Sequence, residues 1–148
     1  MIRPFSFSDL DPILQIESQS FPKSPYDWTT FLNLHTLSPE TFLVYINTNR
    51  GRKEEKISGY IIFTQDGHII SIAVYPQDRR KGIGTQLLQR VMKTPHLKKV
   101  WAEVRRSNQG AQAFYAKLGF QIMGSIPNYY GNEDALIVQW TPVAHESY

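Results

Sequence analysis

A chain of 148 residues is long enough to form one domain with a sizeable hydrophobic core. Its hydrophobic fraction of 41% and aromatic fraction of 13% are those of a globular protein, which excludes a disordered or fibrous chain. The absence of cysteine excludes a disulfide framework, a thiolate nucleophile and a cysteine-ligated zinc site. A formal charge of +3 would suit an anionic cofactor, nucleic acid or a ribosome, but a solvated basic surface alone also accounts for it.

The sequence gives little support to a membrane protein or a metalloprotein. No apolar run approaches the roughly 20 residues that span a bilayer, and the first residues lack the charged head and apolar run of a signal peptide. We therefore expect a soluble, cytoplasmic protein. No cluster has the spacing of zinc ligands and no Ser-His-Asp order stands out, so we expect neither a bound metal nor hydrolase chemistry.

The N-terminal part of the sequence predicts two helices and then strands. Residues 2–7 predict a short strand, after which Ser8 or Asp9 caps a helix with its apolar residues on one face. Ser24-Pro25 is typical of a second helix start, with proline at the first helical position. The charged run 50–56 mixes both signs and predicts an exposed loop. Strands are expected at 42–46 and 57–64.

The rest of the chain alternates strands and helices. Asp66-Gly67 between two apolar runs is typical of a hairpin turn, and the following strand, 68–74, is apolar on both faces, which predicts a central, buried position. Helical periodicity returns after Gly82. Further elements are expected at 100–104 (strand), 108–118 (helix, ended by a left-handed Gly119), 120–126 and 135–140 (strands).

This order predicts an α/β fold with a mixed, mainly antiparallel sheet of about six or seven strands flanked by about four helices. We expect a single domain over residues 1–140 and a tail over 141–148.

A basic, glycine-containing segment follows the buried strand. After Pro76, three cations precede Gly82 and Gly84, and a helix begins there. Glycine lets the backbone approach a ligand closely, and the unpaired N–H groups of a helix N-terminus suit phosphate. The segment is not a P-loop, since no lysine follows Gly84, and it lacks the third glycine of the Rossmann fingerprint. The alternative is a basic turn that only caps a helix.

This segment, 79–84, resembles the Arg/Gln-x-x-Gly-x-Gly/Ala motif of the GNAT acetyltransferases. Residues 101–108 and 113–120, and Asn128-Tyr129-Tyr130 followed by Glu133-Asp134-Ala135, are similar to the second half of RimI-like N-terminal acetyltransferases. The likeness is dense from about 68 to 138. Phe21-Pro22-Lys23 stands where RimI-like enzymes usually carry Phe-Pro-Trp.

The resemblance implies a GNAT-type domain that uses acetyl-coenzyme A. It implies that Ile72, Ala73 and Val74 lie beside the pantetheine arm. Asn108 is either a helix N-cap, a polar contact to the cofactor, or both. The residues that the resemblance assigns to the diphosphate are Arg79, Arg80, Lys81, Gly82, Ile83, Gly84 and Thr85.

Acetyl transfer to an amine needs a base for the amine, a donor to the thioester oxygen and a proton for the departing thiolate. Glu103 alternates with apolar neighbours and so faces a cleft or solvent, and the resemblance makes it the base. Tyr115 is either a packed aromatic or, by the resemblance, the acid. We expect the oxyanion donor to be a backbone N–H near Val74, freed by a β-bulge. His68 is the alternative base, or a structural residue.

The acceptor side is predicted from three tyrosines. Tyr129 and Tyr130 either cover the sheet edge or, as in RimI-like enzymes, wall the acceptor site, and Tyr26 would face them. We therefore expect N-acetylation of a protein or peptide N-terminus, such as that of a ribosomal protein, with no need for direct nucleic-acid binding. Two alternatives stay open: a small amine or lysine as acceptor, and a non-catalytic acyl-coenzyme A-binding module. The presence of both Glu103 and Tyr115 argues against the module.

Overall fold

The computed structural model describes residues 1–21, 39–47 and 56–142. This part of the chain forms seven strands and three α-helices. The strands are β1 (Ile2–Pro4), β2 (Phe42–Asn47), β3 (Lys56–Phe63), β4 (Ile69–Val74), β5 (Val100–Arg105), β6 (Gln121–Ile126) and β7 (Ala135–Trp140). The helices are α1 (Leu10–Ser20), α2 (Ile83–Met92) and α3 (Gln109–Lys117), and short 3-10 turns lie at Phe7–Asp9, Pro39–Thr41 and Pro76–Asp78.

The strands form two antiparallel sheets, with strand orders β1-β2-β3-β4 and β5-β7-β6. They meet at the starts of β4 and β5, where His68 and Trp101 form a parallel bridge and the Trp101 N–H donates to Gly67 O at 3.0 Å. Beyond this bridge no ladder joins β4 to β5 in the described residues, and a cleft lies between them. The predicted mixed, mainly antiparallel α/β architecture is confirmed.

The turn at Asp66-Gly67 is where the two sheets are joined. Gly67 has φ +102°, and its N–H donates to Thr64 O at 3.0 Å, which closes the predicted hairpin. A Cβ at this position would lie 2.0 Å from Lys99 O, closer than any real contact. Glycine is therefore required here both for its left-handed backbone and for the approach of the two chains.

Two apolar clusters cover opposite sides of the first sheet. The periodic residues of α2, among them Leu87 and Leu88, are fully buried in one cluster, which extends to the second sheet. On the other side, Ile13 and Ile16 of α1 are fully buried against Tyr60 and its neighbours. Each helix thus buries one face, as the spacing of its apolar residues predicts.

The N-terminal strand is shorter than the predicted 2–7. The Ser6 N–H donates to Asp9 Oδ2 at 2.8 Å and the Asp9 N–H donates to Ser6 O at 2.9 Å, so the chain turns before α1 begins. The predicted second helix from Ser24 and the charged run 50–55 lie outside the described residues, while Lys56 begins β3 rather than ending a loop.

The strand predicted to be buried on both faces is buried on one only. β4 is an edge of its sheet: Ile69, Ser71 and Ala73 are buried, whereas the residues between them are half-exposed. The reason is that β5 diverges from β4 after the first bridge. The opposite edge of the second sheet is β6, where Ile122 and Met123 are each 58% exposed beside a register shift. None of the described helices is both long and apolar enough to span a membrane.

Candidate active site

The cleft between β4 and β5 has a volume of about 870 Å³, within the range of small-molecule sites. Its walls come from β4, the start of α2, β5, α3 and the loop between β6 and β7. Most of the residues predicted for the site line this one cleft. They are Ile72, Ala73, Val74, Arg79, Arg80, Gly82, Ile83, Gly84, Thr85, Glu103, Asn108, Tyr115, Tyr129 and Tyr130.

The start of α2 presents to the cleft backbone N–H groups that have no acceptor in the described part of the chain. Gly82 is its N-cap, with φ +78° and no side-chain cap hydrogen bond. The N–H groups of Ile83, Gly84 and Thr85 therefore have no partner within the helix. A Cβ on Gly82 would meet nothing within 4 Å, so this turn is open toward a ligand. Free donors at a helix N-terminus, with the dipole behind them, fit the diphosphate of coenzyme A.

The three cations before Gly82 have different surroundings. Arg79 donates to Val74 O and to Ser20 Oγ, both at 3.3 Å. Lys81 lies 3.4 Å from the buried Asp78 and does not line the cleft. Arg80 lines the cleft, has φ +65°, and has no ion-pair partner among the described residues. A strained non-glycine residue at a ligand site is typical of a functional turn, so Arg80 is the cation most available to a phosphate.

Glu103 lies on the cleft face of β5. The alternation along this strand buries Ala102 and Val104 in the core and leaves Trp101, Glu103 and Arg105 half-buried on the other face. Glu103 Oε2 is 2.7 Å from His68 Nε2, and the His68 ring stacks on Trp101 with 5.0 Å between ring centroids. The two residues predicted as alternative bases are thus one hydrogen-bonded pair.

Tyr115 faces both the core and the cleft. Only 5% of it is exposed, and its ring meets Phe114 and Phe120 edge-on, with centroids 5.3 and 5.1 Å away. Burial, reinforced by the negative charge of Glu103, raises the pKa of the Tyr115 phenol well above its ordinary value. The hydroxyl therefore keeps its proton at neutral pH, which a proton donor requires. The packing interpretation and the cleft-lining interpretation both hold.

The loop between β6 and β7 supplies the remaining wall. The rings of Tyr129 and Tyr130 meet edge-on at 4.9 Å, and the guanidinium of Arg105 lies 4.1 Å from the Tyr130 ring centroid. Burial raises the pKa of Tyr130 to about 12, with a further contribution from Tyr129 and an opposing one from Arg105. Burial likewise raises the pKa of Tyr129. Both phenols are neutral hydrogen-bonding groups at physiological pH.

Residues 10–120 match the acetyltransferase (GNAT) family. The chain belongs to the GNAT acetyltransferase family. It is 36% identical to an uncharacterized N-acetyltransferase of Methanocaldococcus jannaschii, over 93% of this chain and 89% of that one. A putative ribosomal protein bS18-alanine N-acetyltransferase of Bacillus subtilis is 31% identical over 96% and 95% of the two chains. The crystal structure of the ribosomal-protein-S18-alanine N-acetyltransferase from Escherichia coli has a TM-score of 0.77 at 28% identity, covering 100% and 98%. The predicted family and its RimI-like character are confirmed.

In this acetyltransferase, the backbone near Val74 differs from the expectation of a bulge. The register shift between β3 and β4 lies between Ile62 and Phe63, at the start of β4 and far from Val74. The Tyr75 N–H donates toward β3, to Ser58 O at 2.7 Å. Because donors alternate along a strand, the Val74 N–H points to the other edge, toward β5. It is available because β4 is an edge strand, and no bulge is needed.

One predicted site residue does not line the cleft, one lies outside the described residues and stays a prediction, and one side chain was missed. Lys81 is held by Asp78 away from the cleft, and Tyr26 lies outside the described residues. Glu17 of α1 lines the acetyltransferase cleft although it is only 2% exposed, and its carboxylate accepts from the Tyr60 hydroxyl. A carboxylate at an apolar position of α1 was the signal that could have identified it. Asn108 caps α3 by accepting from the Ala111 N–H at 3.0 Å and also lines the cleft.

Proposed function

We propose that this acetyltransferase moves the acetyl group of acetyl-coenzyme A to the N-terminal α-amine of a protein or peptide. The observation that carries the proposal is that Glu103, which is hydrogen-bonded to His68, and the buried Tyr115 line the same cleft as the first residues of α2. The proposed base, the proposed acid and the phosphate site then lie in the same cleft. The names of the two relatives, a putative ribosomal-protein-alanine N-acetyltransferase in Bacillus subtilis and the corresponding enzyme in Escherichia coli, support a protein N-terminus as the acceptor class.

The described residues offer contacts for the diphosphate and the pantetheine arm of the acetyl donor. The amides of 83–85 and the side chain of Arg80 hold the diphosphate. Ile72, Ala73 and Val74, on the bare edge of β4, lie beside the pantetheine arm, whose amides can pair with a free strand edge. Bound coenzyme supplies an activated thioester, and the reaction at that carbonyl depends on the protein groups around it.

Two side chains transfer protons, and one backbone N–H stabilises the charge that develops. Glu103 accepts a proton from the attacking amine, directly or through water, while His68 holds the carboxylate in place. The Val74 N–H donates to the oxygen on which charge develops. Tyr115 gives its proton to the departing thiolate and recovers one from water. The α-ammonium loses two protons in becoming an amide. The first passes from Glu103 to solvent, and the second leaves the nitrogen after the attack and replaces, through solvent, the proton that Tyr115 gives to the thiolate. One proton is released overall, and both side chains return to their starting state.

The Tyr129–Tyr130 wall and the base Glu103 both favour an N-terminal α-amine over a lysine side chain as the acceptor. An α-amine has a reference pKa of about 8, whereas that of a lysine ammonium is about 10.4. A single partly exposed carboxylate such as Glu103, whose side chain is 18% exposed, removes the first proton far more readily than the second. The tyrosine wall at 129–130 also confines the entrance, which suits an extended chain end.

A peptide panel tests the proposal. The enzyme is incubated with acetyl-coenzyme A and three acceptors: a free-N-terminus peptide, the same peptide blocked at its α-amine with an internal lysine, and a small primary amine. Products are identified by mass spectrometry. We expect kcat/KM for the free N-terminus to exceed the lysine value by about tenfold or more. Equal use of the blocked peptide or the small amine would favour those acceptors, and binding without turnover would favour the non-catalytic module.

A further inference from the structure

The loop that carries the two cleft tyrosines is fastened to the end of β5 by one arginine. Arg105 Nη1 donates to Glu133 Oε1 at 3.0 Å and to Asn132 Oδ1 at 3.3 Å. The same guanidinium lies over the Tyr130 ring, 4.1 Å from its centroid. The Arg105 side chain therefore contacts two groups of the loop: the Glu133 carboxylate and the Tyr130 ring, which lines the cleft.

Glu133 makes a second attachment, to the turn that precedes α3. Its carboxylate accepts from Ser107 Oγ at 3.1 Å and from the Ser107 N–H at 3.3 Å. These hydrogen bonds from Ser107, with that from Arg105, hold the pKa of Glu133 below its usual value, so this carboxylate is ionised at neutral pH. Within the loop, the Tyr130 N–H donates to Glu133 O at 3.2 Å. Ring, carboxylate and backbone of the loop are thus fixed together.

The position of Arg105 relates this attachment to the reaction. Arg105 and Glu103 are two residues apart on the same face of β5, and both line the cleft with Tyr130. Residues so spaced in a strand lie about 6.5 Å apart. Arg105 therefore orients the Tyr130 ring from β5, the same strand that carries the proposed base, Glu103. Arg105 and Glu133 are 23% and 19% exposed, so the pair is partly shielded from solvent, and its several hydrogen bonds give it a defined geometry.

We propose that Arg105 and Glu133 are positioning residues that hold the Tyr129–Tyr130 wall at a fixed distance from Glu103 and so determine the affinity for the acceptor. The inference rests on the proposed function, because it assigns this wall to the acceptor. Neither residue contacts the amides of 83–85 or Arg80 in the structure. We call the Arg105–Glu133 pair the clamp. Its loss should therefore weaken binding of the acceptor and leave binding of the coenzyme unaffected.

Steady-state kinetics with a matched control test this role. Arg105→Gln removes the charge and the stacked guanidinium, and Glu133→Gln removes the charge of its partner. Arg106→Gln removes the neighbouring charge, whose side chain is 61% exposed and is 3.8 Å from Asp134. We expect the first two variants to raise KM for the acceptor peptide about tenfold, with kcat and KM for acetyl-coenzyme A within about twofold. The control should stay within about twofold on all three constants, and Arg105→Lys should restore part of the acceptor affinity.

Hydrogen exchange gives a readout that does not depend on the acceptor. The Tyr130 amide should exchange faster in Arg105→Gln and Glu133→Gln than in wild type or Arg106→Gln. Faster exchange without turnover of any peptide would support the clamp and refute the proposed function. Unchanged exchange, faster exchange with an unchanged acceptor KM, or an equal rise in both KM values with a lower melting temperature would each overturn the clamp. The last outcome would make the pair a general fold contact.

Discussion

At the scale of single residues, Tyr115 is a packing residue that also lines the cleft, and we propose it as the proton donor. Its ring is held by Phe114 and Phe120, so the hydroxyl has a fixed position at the cleft. Burial raises its pKa, and the sign of that shift matters: the proton is retained as the pH rises through the ordinary phenol value of about 10. The phenol therefore stays neutral, and able to donate a proton, past the pH at which an ordinary tyrosine ionises.

Tyr115→Phe should lower kcat by about 10²-fold, because the departing thiolate loses its proton donor. Affinity for coenzyme A, measured by titration calorimetry, should change by less than about threefold, since the ring and its packing are kept. Below about pH 9.5 the pH–rate profiles of variant and wild type should be parallel, because Tyr115 does not ionise there. Full activity in the variant would leave Tyr115 as a core residue only.

Glu103→Gln should bind coenzyme A normally and slow the reaction with a free N-terminus by about 10²-fold at pH 7. The difference should narrow above about pH 8, where more of the α-amine is already neutral. Initial rates across pH measure this. His68→Gln keeps the carboxylate and removes its partner, so its defect should be smaller. An unchanged pH profile in Glu103→Gln would transfer the base role to His68 or to water.

At the scale of elements, two neighbouring cations at the start of α2 differ in position, so their contributions to coenzyme A binding should differ. Arg80→Ala should weaken coenzyme A binding about tenfold and reduce its dependence on salt, because Arg80 lines the cleft and has no ion-pair partner among the described residues. Lys81→Ala should have a smaller effect, since Lys81 is held by Asp78 away from the cleft. Calorimetry at two salt concentrations compares them. Equal losses in the two variants would indicate a diffuse basic surface instead of a defined contact.

The hairpin turn at Gly67 should be a sensitive point for stability. Gly67→Ala combines a left-handed backbone with a Cβ directly against Lys99 O, and we expect it to lower the free energy of unfolding by about 3 kcal/mol. Gly131→Ala is the matched control: Gly131 has φ +83° but nothing within 4 Å of its Cβ, so it should cost about 1 kcal/mol. Denaturant unfolding measures both. Equal costs would mean that the contact with Lys99 relaxes easily.

At the scale of the molecule, local signals in the sequence predicted most of the fold and part of the site. Periodicity located α2, the glycine pattern located its N-terminus, and alternation along β5 placed Glu103 on the cleft face. These properties depend on residues a few positions apart. The contact between His68 and Glu103 depends instead on the relative positions of β4 and β5, which are separated in the sequence by a helix. The diversion of Lys81 to Asp78 and the bare edge at Val74 also arise only in the folded chain.

The sheet orders have a consequence for the behaviour of the protein at high concentration. The inner edges, β4 and β5, face each other across the cleft, so neither is a ready template for pairing with another molecule. Of the outer edges, β1 is only 3 residues long. β6 is longer and exposes two adjacent apolar side chains, Ile122 and Met123. The register shift beside them interrupts the ladder and so limits edge-to-edge growth. Self-association of the native protein should therefore begin at β6 and stop at small assemblies.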